Sequence, residues 1–113
     1  MDFWIKLDQM LASHKIIIDR PKSSHHPEHP DLVYPFDYGY LKGTSTGDGK
    51  EIDVCRGTPG ESRLAAVICT VDTRKQDTEV KLLIDCTDDE INVIDRFYNT
   101  NKYMSGIIIK RPV

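Results

Sequence analysis

Four aspartates fall into two pairs of equal spacing, Asp48 with Asp53 and Asp72 with Asp77. Clustered carboxylates repel one another unless a positive charge sits between them. An all-oxygen donor set suits a hard ion such as magnesium better than zinc, since no histidine or cysteine is positioned with these acids. The chemistry such a centre supports is attack on phosphate by a metal-activated water. Directly upstream lies a tyrosine-rich stretch, Tyr34-Pro35-Phe36-Asp37-Tyr38-Gly39-Tyr40, leading into the Gly47-Asp48-Gly49 turn.

The segment 63–85 gives the second pair a geometry. If Asp72 and Asp77 close a hairpin over the loop 73–76, then Cys69 faces Val80, Val67 faces Leu82 and Ala65 faces Ile84. That is a coherent apolar face, with Thr70 against Glu79 and Ile68 against Lys81 on the other side. A slip of one residue mixes the two sets, so the pattern selects this register. It makes Asp72 and Asp77 direct neighbours, their Cβ atoms about 5 Å apart, where like charges destabilise. Two readings stand: a bound cation chelated by the pair, or neutralisation by Arg74 and Lys75 in the loop.

Around these residues the sequence predicts a small α+β, mainly β, domain. Phe3, Trp4, Leu7, Met10 and Leu11 recur on one helical face, giving a helix over 2–13 with Trp4 in the core. A β-branched strand at 16–18 ends at Arg20-Pro21, and the proline-punctuated 21–30 is a loop carrying His25, His26 and His29. Further strands are expected at 51–56, 63–72, 78–85 and 106–110. Thr87-Asp88-Asp89-Glu90 has the form of a capping box, opening a second helix over 88–98. Short strands with a helix at each end suggest a small antiparallel barrel or curled sheet.

A chain of 113 residues is one domain, 1–113, burying around 65% of its unfolded surface. A net charge of −3 argues against non-specific nucleic-acid binding, which needs a basic surface. No apolar run approaches the roughly 20 residues that span a bilayer. Asp2, Lys6 and Asp8 are foreign to a signal peptide. Three cysteines, Cys55, Cys69 and Cys86, are odd in number and scattered through strand-like sequence. They read as free thiols of a reducing, cytoplasmic compartment. The partners expected are a small phosphorylated molecule and, through a strand edge or the apolar helices, further copies of the chain.

The order and spacing of these parts resemble the soluble (family I) inorganic pyrophosphatases. The tyrosine stretch matches that family's Tyr-Pro-x-x-Tyr-Gly-Tyr, and Asp48-Gly49-Lys50-Glu51-Ile52-Asp53-Val54 matches its Asp-x-Asp-Pro-x-Asp-Val signature. Asp72 and Asp77 match a further aspartate pair. Ile16-Ile17-Ile18-Asp19-Arg20-Pro21-Lys22 looks like the early strand, with Asp19 where a glutamate usually stands. The resemblance implies an OB-like five-stranded antiparallel barrel and magnesium-dependent hydrolysis of pyrophosphate to two phosphates. Asp48, Asp53, Asp72 and Asp77 would hold two or more magnesium ions. Tyr38 would contact phosphate or metal-bound solvent. A larger phosphoanhydride such as a nucleotide, or a non-catalytic metal- or phosphate-binding module, are the alternative readings.

The chain departs from that pattern in three places. Lys50 stands where the family has the aspartate assigned as general base, leaving three readings: pointing to solvent, replacing one metal ion, or holding a phosphate. The hairpin after the early strand is missing, and the histidine loop takes its place. Arg20, Lys22 and Lys42 are the cations near the motif, and the histidines offer phosphate or softer-metal contacts besides plain exposure. Lys102-Tyr103 stands after the second helix in the reverse of the family's tyrosine-lysine order. A surface lysine beside a core tyrosine explains that pair equally, and Tyr34 and Tyr40 carry the same structural alternative. Asp37 is an acid without an assigned role.

Overall fold

Apolar residues bury both faces of one sheet at its centre, while Val71, Val80, Ile107 and Ile109 stay exposed. The computed structural model describes residues 2–47, 49–58 and 60–113. Helix α1 (Asp2–Ser13) precedes strands β1 (Ile16–Arg20), β2 (Asp37–Leu41), β3 (Ile52–Arg56), β4 (Leu64–Asp72) and β5 (Asp77–Ile84). Helix α2 (Asp88–Asn99) and strand β6 (Met104–Lys110) complete the chain. The sheet order is β1-β2-β3-β5-β4-β6. All neighbours are antiparallel except β3 and β5, which run parallel.

The expected five-stranded antiparallel barrel is therefore corrected to a six-stranded, open, mixed sheet. The added strand is β2, Asp-Tyr-Gly-Tyr-Leu, whose central glycine lowers strand propensity and hides the alternation. Gly39 is there because β1 comes too close for a side chain: a Cβ would lie 1.8 Å from the Ile17 carbonyl oxygen.

Trp4 of α1 packs on Leu41, Val54, Leu64, Val67, Leu82 and Ile84. The opposite face holds Cys55, Ala66, Ile68 and Leu83 beneath Ile91, Ile94 and Tyr98 of α2, with Tyr34 and Phe36. Because both faces are covered, β4 reads as a near-continuous apolar run. Toward the far end of β4 and β5 the α2 side turns polar, and there the sheet places Thr70, Asp72, Asp77, Glu79 and Lys81.

The β4–β5 register follows the apolar pattern: Cys69 opposes Val80, Val67 opposes Leu82, Ile68 opposes Lys81 and Asp72 opposes Asp77. At the other end a bulge sets Leu64 against Ile84 and Ala66 against Leu83, in place of the expected Ala65–Ile84 pair. Buried Asp85, with φ of 57°, accepts the amides of Ser62 at 3.0 Å and Arg63 at 2.9 Å and so grips the start of β4.

The capping box of α2 forms. Thr87 Oγ1 accepts the Glu90 amide at 3.2 Å, and Glu90 Oε1 accepts the Thr87 amide at 3.0 Å. Glu90 Oε2 also accepts the amide and hydroxyl of Thr58, at 3.0 and 2.8 Å, tying the β3–β4 connection to the helix. Glu90→Ala is expected to lower stability by about 1–2 kcal/mol. In urea unfolding it should exceed the loss from Asp89→Ala, which removes the same charge but none of these bonds.

All three cysteines are free. Burial pushes the thiols of Cys55 and Cys86 up to about 12, so neither is a reactive thiolate at neutral pH. No described helix is long and apolar enough to cross a membrane.

Candidate active site

Three neighbouring strands bring a buried ammonium to the centre of the polar patch. Lys81 of β5 is 4% exposed. Its Nζ donates to Tyr38 Oη of β2 at 2.9 Å, to Asp53 Oδ2 of β3 at 2.8 Å and to Glu79 Oε2 at 2.8 Å. An ammonium has three protons, and all three are used. Tyr38 Oη in turn donates to Asp53 Oδ2 at 2.7 Å. The ammonium also lies 5.3 Å from the centre of the Tyr38 ring and 5.9 Å from that of Tyr98.

Burial alone would discharge Lys81, but Tyr38 and Asp53 outweigh it and hold the amine well above its ordinary pKa. For Asp53 the order is similar: burial works upward, and the adjacent Lys81 charge overcomes it, leaving the carboxyl below its usual range. Burial raises the Tyr38 phenol, which stays protonated and able to donate. The cluster is thus charged and internally hydrogen-bonded, with Lys81 the most deeply buried of its charged members.

Arg20 borders it. A bulge between Ile18 and Arg20 leaves Asp19 exposed and sets Arg20 opposite Tyr38. The guanidinium carbon lies 5.6 Å from the ring centres of both Tyr34 and Tyr38, and Nη1 donates to Tyr34 Oη at 2.6 Å. Tyr34 and Tyr38 stack at 5.3 Å. Tyr34 is buried at 4% exposure, whereas Tyr40 on the same strand face as Asp53 is half-buried.

The other described residues singled out from the sequence lie elsewhere. Asp48 falls outside the described residues. Lys50 is exposed, its carbonyl accepting the Thr46 amide at 2.7 Å. Lys42 is exposed, and Lys22 is exposed with its amide donating to Asp37 Oδ1 at 2.8 Å. Asp37 also pairs with Arg56 at 3.3 Å. Asp72 and Asp77 are neighbours at the tip of the β4–β5 hairpin, and Asp72 Oδ1 accepts the backbone amides of Arg74 and Lys75 at 2.9 and 3.1 Å. Lys102 and Tyr103 reach that same tip: the Tyr103 carbonyl accepts the Thr73 amide at 2.9 Å, and the Tyr103 ring lies 5.3 Å from the Arg74 guanidinium and 5.5 Å from the Lys102 ammonium.

The histidine loop is tied down by its own bonds. Ser23 donates its amide to the Tyr34 carbonyl at 2.7 Å, and His25 Nδ1 bonds the Pro30 carbonyl at 2.7 Å. His26 Nδ1 accepts the Glu28 amide at 3.0 Å, and its ring stacks on Tyr34 at 6.2 Å and meets His29 at 5.0 Å.

Among the described residues, no group of three or more His, Cys, Asp or Glu side chains is placed to hold a metal ion. The cation between Asp53 and Glu79 is the Lys81 ammonium. Asp53, Asp72 and Asp77, the described members of the magnesium set expected from the sequence, are not brought together as one such group, and Asp48 lies outside the described residues. The sequence reading also left Glu79 and Lys81 without a role. Their signal was a lone lysine inside the run Val80-Lys81-Leu82-Leu83-Ile84, since a charged residue in a buried strand is almost always paired. A cleft of about 460 Å³, lined by Arg63, Asp85, Cys86, Lys110 and Arg111 among others, contains none of the catalytic, substrate or metal candidates named from the sequence.

No known family matches the chain by sequence, and no curated protein does. Among solved structures, the chain is similar to the inorganic pyrophosphatase of Helicobacter pylori, with a TM-score of 0.58 and 17% identity over 84% of this chain and 81% of that one. It is also similar to an inorganic phosphatase of Anaplasma phagocytophilum, with a TM-score of 0.51 and 17% identity over the same shares, 84% and 81%. At such identity the likeness is one of fold, and the fold of this chain is pyrophosphatase-like.

Proposed function

We propose that this chain hydrolyses a phosphoanhydride, with inorganic pyrophosphate as the substrate. The observation that carries the reading is buried Lys81 held by the part-buried Asp53, Glu79 and Tyr38 beside Arg20, at the polar end of a pyrophosphatase-like sheet. Arg20 spends one of its five donors on Tyr34, which leaves the rest of its planar fork for phosphate oxygens. Lys81 places fixed positive charge where the leaving phosphate gains negative charge. Tyr38 links the two cations, its ring beside Arg20 and its oxygen accepting from Lys81, and its phenol proton is donated to Asp53 Oδ2. Asp53 and Glu79 keep the ammonium aimed and charged.

Magnesium dependence belongs to the proposal through Asp48, Asp53, Asp72 and Asp77, with Lys22, Lys50, Lys102 and Tyr103 as outlying substrate contacts. Of the described acids, Asp72 and Asp77 are neighbours and Asp53 stands with Lys81, so the roles given above are those of the side chains alone. The test is phosphate release from pyrophosphate in magnesium, manganese or zinc. Asp53→Asn keeps the shape and removes the charge that orients Lys81 and Tyr38, and turnover is expected to fall at least about 100-fold. Absence of release above background by the unaltered chain under all three metals would end the enzymatic reading.

A further inference from the structure

A line of rings runs outward from the buried cluster to the tip of the β4–β5 hairpin. Lys81 touches Tyr38, Tyr38 stacks on Tyr34, Tyr34 on His26, and His26 meets His29. His29 Nε2 then faces Arg74 Nη1 at 3.5 Å, and because a guanidinium only donates, the ring nitrogen is the acceptor. Three separate stretches of chain thus converge: Arg20 from β1 with the histidine loop, Arg74 and Lys75 from the hairpin tip, and Lys102 from the segment before β6.

These groups are basic, and no described carboxylate forms an ion pair with Arg20, Arg74, Lys75 or Lys102. Asp72 and Asp77 flank the loop; Asp72 spends Oδ1 on the backbone amides of Arg74 and Lys75, and neither acid forms an ion pair with their side chains. The Arg74 guanidinium instead lies over Tyr103, its carbon 5.3 Å from the ring centre, and the Tyr103 carbonyl anchors Thr73 in the hairpin loop. A guanidinium held over a ring without a carboxylate partner keeps donors free for a phosphate. Exposed cations scattered singly are unremarkable; here they come from three stretches and end a ring path that begins at Lys81.

We propose that the rim formed by Arg74, Lys75 and His29 is an outer phosphate subsite, so that the site takes a phosphoanhydride of three or more phosphates in preference to pyrophosphate. The inner phosphates occupy the Arg20–Lys81 region and the chain's next phosphate reaches the rim. This rests on reading the inner cluster as a phosphoanhydride site. A free polyphosphate chain and a nucleoside triphosphate share the required chemistry.

Calorimetric titration at fixed salt with magnesium, on the turnover-suppressed Asp53→Asn chain, separates the cases. Tripolyphosphate and adenosine triphosphate are each compared with pyrophosphate. At least tenfold tighter binding of either longer anion is expected, and the tighter of the two identifies the source. Arg74→Gln combined with His29→Gln, both at exposed positions, should bring that ratio close to one while pyrophosphate affinity holds. If pyrophosphate binds and the longer anions bind no better, or if the double variant leaves the ratio unchanged, the rim is refuted and the inner site stands. Failure of all three anions to bind refutes both.

Discussion

Lys81→Met is expected to destabilise the chain by about 3–5 kcal/mol, the usual cost of stripping a buried charge from its partners. Methionine retains the length and apolar body of the side chain, so little of the loss comes from packing. What disappears is the cation between Asp53 and Glu79, at a position 4% exposed. Unfolding in urea, followed through the buried Trp4, measures it. Adding Asp53→Asn should restore part of the loss, since the two changes share one interaction. The pH profile carries a sign of its own. In the unaltered chain the folded pKa of Asp53 lies below its unfolded value of about 3.9. Its contribution is therefore present above that pH and lost as pH falls through the lowered folded value. The folded pKa of Lys81 lies above its unfolded value of about 10.4. Its contribution is complete below that pH and disappears as pH rises through the raised folded value. Stability from this cluster is flat between those limits. Without the ammonium the largest influence opposing burial is gone and the Asp53 pKa should rise, so from pH 7 to about pH 4 the variant should lose less stability than the unaltered chain. Identical urea midpoints for the two chains at both pH values would mean that Lys81 does not hold these acids.

The parts of the fold that depend on local pattern were open to reading. Helix α1 followed from the spacing of Trp4, Leu7 and Leu11, helix α2 from its Thr87–Glu90 box, and the β4–β5 register from the need to keep Cys69, Val67, Val80 and Leu82 on one side. What escaped is non-local. The parallel pairing of β3 with β5 leaves no trace in either strand, yet it is this pairing that lays Asp53 beside Lys81. From the hairpin alone, Lys81 merely opposes Ile68 on the face away from the expected core. The second helix covers that face and turns a surface lysine into a buried one. The sequence posed the question of a lysine among acids at Lys50, which is exposed, while the enclosed lysine is 31 positions further along the same chain. The histidines were legible as a polar loop but not as a stack, because His26 meets Tyr34 only after the loop folds back on itself.

Gly39→Ala should cost about 3 kcal/mol or more, because the space beside β2 is filled by backbone and not by a side chain that can rotate away. An added methyl would meet the Ile17 carbonyl oxygen at 1.8 Å, the Ile17 carbonyl carbon at 2.7 Å and Ile18 Cα at 2.8 Å. Relief requires β1 to separate from β2. That strand carries Arg20, and its bulge sets Arg20 over the Tyr34 and Tyr38 rings. The substitution therefore tests packing and chemistry together: pyrophosphate affinity should drop along with the urea midpoint. Gly47→Ala is the matched control, since a Cβ there meets nothing within 4 Å. It should be neutral or stabilising by about 0.4–1 kcal/mol through a less flexible unfolded chain. A Gly39→Ala protein that unfolds at the same urea concentration as the unaltered chain would contradict the close approach of β1 and β2, and with it the placement of Arg20 beside Tyr38. If instead stability falls and anion affinity survives, Arg20 is not the group that greets the phosphate, and the inner site must draw its charge from Lys81 alone.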